Sequence, residues 1–315
     1  MTLYSRRAFG RAGAATLALA TTAGATRPAD RGRAPTFVLV HGAFGRAAHM
    51  ADLANGLAVR GHRALAVELP GHERGRVPYS SAFQAPQDLE AWATVPSPLA
   101  GIELRHYVEH TVNAVRQVAA YGPVVLVGAS AGGLVISLVA NTVPQLVSHL
   151  VYDDAYCCVA LPSVAAYSRT PEAAGAHTEF LGRVVVGDPT KLGVLRVNWR
   201  SADPEYLAGA RLAFMTEDAP DTELFELLNN LHPDDPLSVN EADARVDGRT
   251  WGRVPHTFIR HTRDGLVPLA LQDRMIREAD ELTPSNRFAV HSVATGHAPG
   301  VDRAGEIVDI VAGVA

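Results

Sequence analysis

Ser130 is the residue whose surroundings most plainly promise chemistry. It sits at the centre of Gly128-Ala129-Ser130-Ala131-Gly132-Gly133, after the apolar run Val124 to Val127 and before the helix-like run Leu134 to Val143, which Pro144 stops. A buried strand that turns sharply into a helix crowds the residues around the turn, and glycines relieve the crowding. The serine hydroxyl would then stand at the end of a strand with the first turn of a helix behind it. The next N–H, that of Ala131, would point to where a negative charge could form. A serine hydroxyl is a poor nucleophile at neutral pH; it needs a histidine to take its proton and a carboxylate to hold that histidine in the right tautomer. Gly-Ser-rich loops without chemistry match the short pattern as well, so the flanking strand and helix carry the weight.

The scaffold that must present these groups reads as alternating strands and helices. Thr36 to Val40 is a fully apolar strand ending in His41-Gly42-Ala43-Phe44-Gly45, where small residues would leave backbone N–H groups free at the carboxyl edge of a sheet; the Ala43 N–H is the candidate second oxyanion donor. A helix over 47–60 with Met50, Leu53 and Leu57 on one face, ended by Gly61, leads to a strand over 64–69 and so to a parallel pair with a right-handed crossover. Helical spacing returns over 104–120 ahead of the serine strand, and Leu150 to Asp154 forms the next strand. Alternation breaks over 156–249, where Asp203-Pro204 starts one helix, Asp221 caps another, and no strand is expected between them. It resumes with a strand at 257–260, a helix near 269–279, a strand at 287–290 and a terminal helix over 304–314. The segment 73–100 lacks periodicity, and a loop of that length is expected to fold over the mouth of the site.

Length and charge narrow the field. The 315 residues are 47% hydrophobic, enough for one large core, and the net charge of −5 gives no electrostatic footprint for nucleic acid. A small-molecule substrate is the expected partner, with no stable membrane anchor; nothing in the sequence specifies an oligomeric state. The only cysteines, Cys157 and Cys158, are adjacent and read as buried free thiols in preference to a strained vicinal bridge. The 13 histidines are read as offering no metal site, and no other cofactor is implied. At the amino end, Ser5-Arg6-Arg7-Ala8-Phe9 precedes an apolar stretch and the small-residue site Ala23-Gly24-Ala25. This reads as a twin-arginine export signal over 1–25, followed by a linker over 26–34, and implies a secreted or periplasmic protein.

The strand, Gly-x-Ser-x-Gly and helix resemble the nucleophile elbow of the α/β-hydrolases, a fold in which serine, acid and histidine arrive in that order. His297 is the only histidine between the last expected strand and the terminal helix; His291, at the strand end, reads as packed or solvated. Asp264, in Arg263-Asp264-Gly265-Leu266-Val267-Pro268, occupies the turn after the preceding strand. Asp153 and Asp154, one strand earlier, are the alternatives, and otherwise read as strand-end carboxylates that hold loops. These segments, with Phe37 to Ala43, Leu69-Pro70-Gly71-His72 and Gly296-His297, resemble the branch that contains bacterial carboxylesterases, plant methyl esterases and hydroxynitrile lyases.

The resemblance covers roughly residues 35–155 and 250–315. It implies an α/β-hydrolase fold, with a mostly parallel central sheet and helices on both faces; the helices inserted over 156–249, where alternation breaks, read as a helical cap over the sheet edge. It implies Ser130 as nucleophile, His297 as base, Asp264 as acid, and Ala43 and Ala131 as oxyanion donors. The similar lyases usually carry a threonine directly after the first histidine and a lysine directly after the catalytic one, whereas this chain has Gly42 and Ala298. The expectation is therefore a serine hydrolase cleaving a carboxylic ester, lactone or thioester through an acyl-enzyme. The alternative is a lyase or eliminase using the same triad for acid–base chemistry.

Overall fold

The computed structural model describes residues 34–76 and 78–315; the expected export signal and nearly all of the expected linker lie outside them. The strands, in chain order, are β1 (Thr36–Val40), β2 (Arg63–Val67), β3 (Val124–Ala129), β4 (Val147–Asp153), β5 (Val194–Arg196), β6 (Asp234–Pro236), β7 (His256–His261) and β8 (Ala289–Val293). Six of them form one parallel sheet in the order β2-β1-β3-β4-β7-β8. The chain adds β2 on one side of β1 and then crosses to lay β3 on the other. The crevice at that reversal, outside the carboxyl ends of β1 and β3, is where open α/β sheets bind ligands.

Strand periodicity decides what each face buries. Along β1, Phe37 and Leu39 join a core with Val127, Ile259, Ile307 and Val311, beneath the helices Ala51–Val59 and Val301–Ala312. Val38 and Val40 point the other way, into a larger core with Leu126, Leu134, Ile136 and Tyr152 that the helices Leu104–Ala119, Gly132–Thr142 and Leu269–Leu282 close. Four of the five β8 residues are exposed, as an edge strand allows. Its polar end, His291-Ser292, disguised the strand in the sequence; it runs over Ala289–Val293 instead of 287–290, and His291 lies exposed within it. Cys157 and Cys158 are buried free thiols.

Residues between β4 and β7 build a separate apolar core around Trp199, Tyr206, Phe214, Leu224 and Leu228. Asp203 caps the helix Pro204–Phe214, its carboxylate accepting from the Glu205 and Tyr206 N–H groups. Asp221 is not a cap: Pro220 occupies that place, and Asp221 is the first residue of the helix Asp221–Asn230, reaching back to Arg211. The insertion also holds strands that were not expected, the antiparallel ribbon β5–β6. With three residues in each strand, it is too short to show period-two alternation.

That ribbon corrects the reading of 73–100. None of the described residues of the segment lines the cavity at Ser130. Instead it docks on β5 through Arg196, which is fully buried. The guanidinium donates twice to Asp234 at 2.8 Å, and to the carbonyls of Trp92 and Val95 at 2.7 and 2.8 Å, with its carbon 5.1 Å from the Trp92 ring centroid. A buried pair of this kind gains little over apolar packing, but removing one partner strands the other charge. Arg196→Ala should cost about 3–5 kcal/mol in urea unfolding and open 73–100 to proteolysis, whereas Arg196→Met with Asp234→Leu should recover most of that loss.

Candidate active site

The turn between β3 and the helix Gly132–Thr142 is built from contacts that exclude side chains. Gly128 meets the next turn of its own segment: a Cβ there would lie 2.8 Å from the Gly132 carbonyl carbon and oxygen. A Cβ on Gly132 would lie 2.5 Å from the Val40 carbonyl oxygen, and one on Gly133 2.2 Å from that of Tyr156. These glycines serve close backbone approach, because the residue in the left-handed region is Ser130 itself, at φ 51°. The Ser130 N–H donates to the Asp153 carbonyl at 3.2 Å, and the Ser130 carbonyl accepts from Tyr156 N–H at 3.0 Å, so β4 and its exit clamp the turn from one side.

Ser130, His297 and Asp264 come together from three segments. His297 Nε2 lies 3.1 Å from Ser130 Oγ, and its Nδ1 donates to Asp264 Oδ2 at 2.9 Å. The other oxygen of Asp264 accepts from the N–H groups of Leu266 and Val267 at 2.7 and 2.9 Å, which fixes the carboxylate within its own turn. Burial opposes charge on Asp264, but the His297 ring beside it and these N–H donors hold its carboxyl below the usual range. Burial likewise disfavours the His297 cation, and the charges of Asp264 and Asp154 outweigh it, raising the ring well above an ordinary histidine.

Ala43 and Ala131 follow β1 and Ser130 respectively and line one small cavity beside His41 and Gly42. Among the described residues, neither N–H has a backbone acceptor. Phe44, also left-handed at φ 53°, is tied on both sides to the insertion: its N–H donates to Asp235 Oδ1 at 3.0 Å, and its carbonyl accepts from His232 N–H at 2.7 Å. The helix end at Leu212 to Met215 braces the other two loops. Gly265 presses on the Leu212 carbonyl, Gly296 on that of Phe214, and Ala298 N–H donates to the Phe214 carbonyl at 2.9 Å.

A histidine that sequence reasoning passed over completes the surroundings. His261, fully buried at the end of β7, has Nδ1 2.9 Å from the Gly296 carbonyl and Nε2 3.1 Å from Asp153 Oδ1. Its partners are 35 and 108 residues away in sequence, so no local spacing could show them; the pairing of β7 with β8 brings Gly296 to the ring and that with β4 brings Asp153. The same holds for Asp154, whose Oδ2 lies 2.8 Å from His297 Nδ1, so the structure brings one alternative acid to the histidine together with Asp264. The ligand atoms of Asp153, Asp154 and His261, and of Asp154, Asp264 and His297, lie within 4.8 Å of one another, close enough to hold a metal ion. Histidine spacing along single elements could not reveal such groups; ion pairs and hydrogen bonds among the members account for their closeness.

Beside Ser130 a cavity of about 290 Å³ is walled by Met50, Leu53, Leu227, Leu231, Ile307 and Val308, with His297 and the two strand-end aspartates at its polar edge.

An alpha/beta hydrolase family model matches residues 37–310. Among solved structures, a pyrethroid hydrolase from Sphingobium faniae JZ-2 is 22% identical with a TM-score of 0.65, covering 89% of this chain and 96% of its own. Polyneuridine aldehyde esterase, 20% identical with a TM-score of 0.63, covers 89% and 99%. An extracellular alpha/beta-hydrolase from a Paenibacillus species, 17% identical with a TM-score of 0.61, also covers 89% and 99%. Among curated proteins, no sequence matches the chain. A parallel sheet with a serine at the β3 turn, and a family model spanning nearly every described residue, lead to one assignment: the chain belongs to the alpha/beta hydrolase family.

Proposed function

We propose that this protein is a serine hydrolase that cleaves a carboxylic ester, lactone or thioester of a small molecule through an acyl-enzyme. The observation that carries the reading is the unbroken chain from Ser130 Oγ through His297 to Asp264 at the mouth of an apolar cavity. Ser130 attacks the acyl carbon while His297 Nε2 takes the hydroxyl proton. The oxyanion forms against the Ala43 and Ala131 N–H groups, each worth ~3 kcal/mol of barrier. His297 then returns the proton to the leaving group, and water repeats the sequence in reverse. The presence of an esterase among the structural neighbours agrees with this chemistry.

Gly42 weighs against the lyase alternative. A Cβ at this position would lie 2.8 Å from the Ser130 Cβ, so a threonine there would push against the nucleophile. The apolar cavity wall favours an uncharged, largely hydrocarbon group on the substrate. Export through a twin-arginine signal belongs to the proposal and rests on Arg6-Arg7 ahead of the apolar stretch.

Ser130→Ala should lower kcat on short p-nitrophenyl esters by at least ~10³-fold, and a fluorophosphonate should label Ser130 in the native protein. Unchanged turnover sinks the assignment, and failure to label alongside retained product formation favours the lyase. Leu227→Trp, which narrows the cavity, should reduce kcat/KM for octanoate relative to acetate by roughly 10-fold or more. A reporter fused behind residues 1–34 should be exported, and Arg6→Lys with Arg7→Lys should retain it in the cytoplasm.

A further inference from the structure

Two carboxylates, where one would suffice, face the Nδ1 edge of His297. Asp264 Oδ2, at 2.9 Å, lies along the N–H direction and takes the hydrogen bond. Asp154 Oδ2, at 2.8 Å, lies off that direction and is left buried with no hydrogen-bond donor among the described residues. A buried carboxylate oxygen without a donor is costly, and a carboxylate that merely held a loop would have donors of its own. Asp154 is kept there by its backbone: it occupies the left-handed region at φ 40°, with its N–H donating to the Ile259 carbonyl at 2.9 Å. Such conformations are strained and persist where the surroundings over-determine them, typically at functional sites.

We infer that Asp154 is a second acid for His297, a positioning residue that shares the Nδ1 edge with Asp264 and takes its hydrogen bond when Asp264 is lost. The inference rests on reading Ser130 and His297 as the reacting pair. The two acids come from different strands, Asp154 from the exit of β4 and Asp264 from the turn after β7, so losing one need not move the other. His261 stands behind Asp154, its Nδ1 3.4 Å from Asp154 Oδ2, while its two nitrogens contact the Gly296 carbonyl and Asp153. Burial disfavours the His261 cation, but Asp154 and Asp153 more than offset that and raise it to about 9, so both ring nitrogens carry protons at neutral pH. This cation offsets part of the repulsion between the two acids. The Asp154 carboxyl is pushed up to about 7, first by burial and further by Asp264, against the pull of His261 and His297. Asp153 and the Tyr156 hydroxyl are the other titratable groups around this cluster.

A single-acid triad loses ~10⁴-fold in kcat when its aspartate becomes asparagine. Here Asp264→Asn should lose roughly 100-fold or less in ester turnover, and Asp264→Asn with Asp154→Asn should lose ~10⁴-fold. Asp154→Asn alone removes negative charge beside His297, so the ring becomes less basic. The acidic limb of its kcat/KM profile should move down by about 1 pH unit, a shift that a purely structural role would not produce. The inference is overturned if folded Asp264→Asn already shows the whole double-variant loss, or if the limb of Asp154→Asn stays in place. If either variant fails to fold, proton NMR of the wild type decides. The His297 Nδ1 proton should respond to two titrations, one from the ring and one from the second carboxyl, and a single titration overturns the inference. That readout needs no substrate, so it still tests Asp154 if ester turnover is absent from the wild type and the hydrolase reading itself fails.

Discussion

The contact on which the rest depends is between bare backbones: Gly132 against the Val40 carbonyl and Gly133 against the Tyr156 carbonyl, with no room for a methyl group at either place. This approach lets the helix after β3 start directly behind Ser130, between the exits of β1 and β4. Its consequences are both electrostatic and geometric. The Ala131 N–H, without a backbone acceptor among the described residues, stands at the start of this helix next to Ser130, and the β1 exit is brought close enough for Ala43 and Ala131 to line one cavity. A single methyl would push the helix off the sheet, and the strained φ of Ser130 would lose the packing that sustains it.

The second constraint comes from outside the sheet. Phe44 is held by Asp235 and His232, while the turns at Gly265 and Gly296 rest on the last turn of the helix Pro204–Phe214. The insertion therefore positions Phe44 beside Ala43 and the turns that carry Asp264 and His297, as well as forming part of the cavity wall. Precision at Ser130 depends on a separately packed core around Trp199 and Phe214, and loosening that core would misplace the chemistry without touching it.

The parts that could be read from the sequence are those whose signal is local. Val124 to Gly133 announces the strand, the turn and the helix in consecutive residues. Asp264-Gly265 and Gly296-His297 follow at the strand exits where the fold requires an acid and a base. The parts that could not be read depend on register or on remote partners. Asp154 and His261 acquire meaning only when β4 and β7 lie side by side, and Arg196 only when Asp234 and Trp92 close over it. The segment 73–100 looked like a lid because it lacks periodicity, yet its anchors are single residues, Phe83 and Trp92, packed with Val186 of the insertion. Isolated anchors leave no period to detect.

Charge in the buried cluster is arranged so that no carboxylate stands alone. Asp153 pairs with His261, Asp264 with His297, and Asp154 lies between the two rings, 2.8 Å from His297 and 3.4 Å from His261. Three acids against two histidines leave one carboxyl in excess, and burial makes a third negative charge expensive. The excess falls on Asp154, which burial pushes up to about 7, while Asp264 is held low by His297 and the N–H groups of its turn. Asp264 therefore holds the histidine at rest because its turn supplies donors that Asp154 Oδ2 lacks. The same comparison makes Asp154 the group most sensitive to a change in the charge of His297, and proton transfer from Ser130 would produce that change.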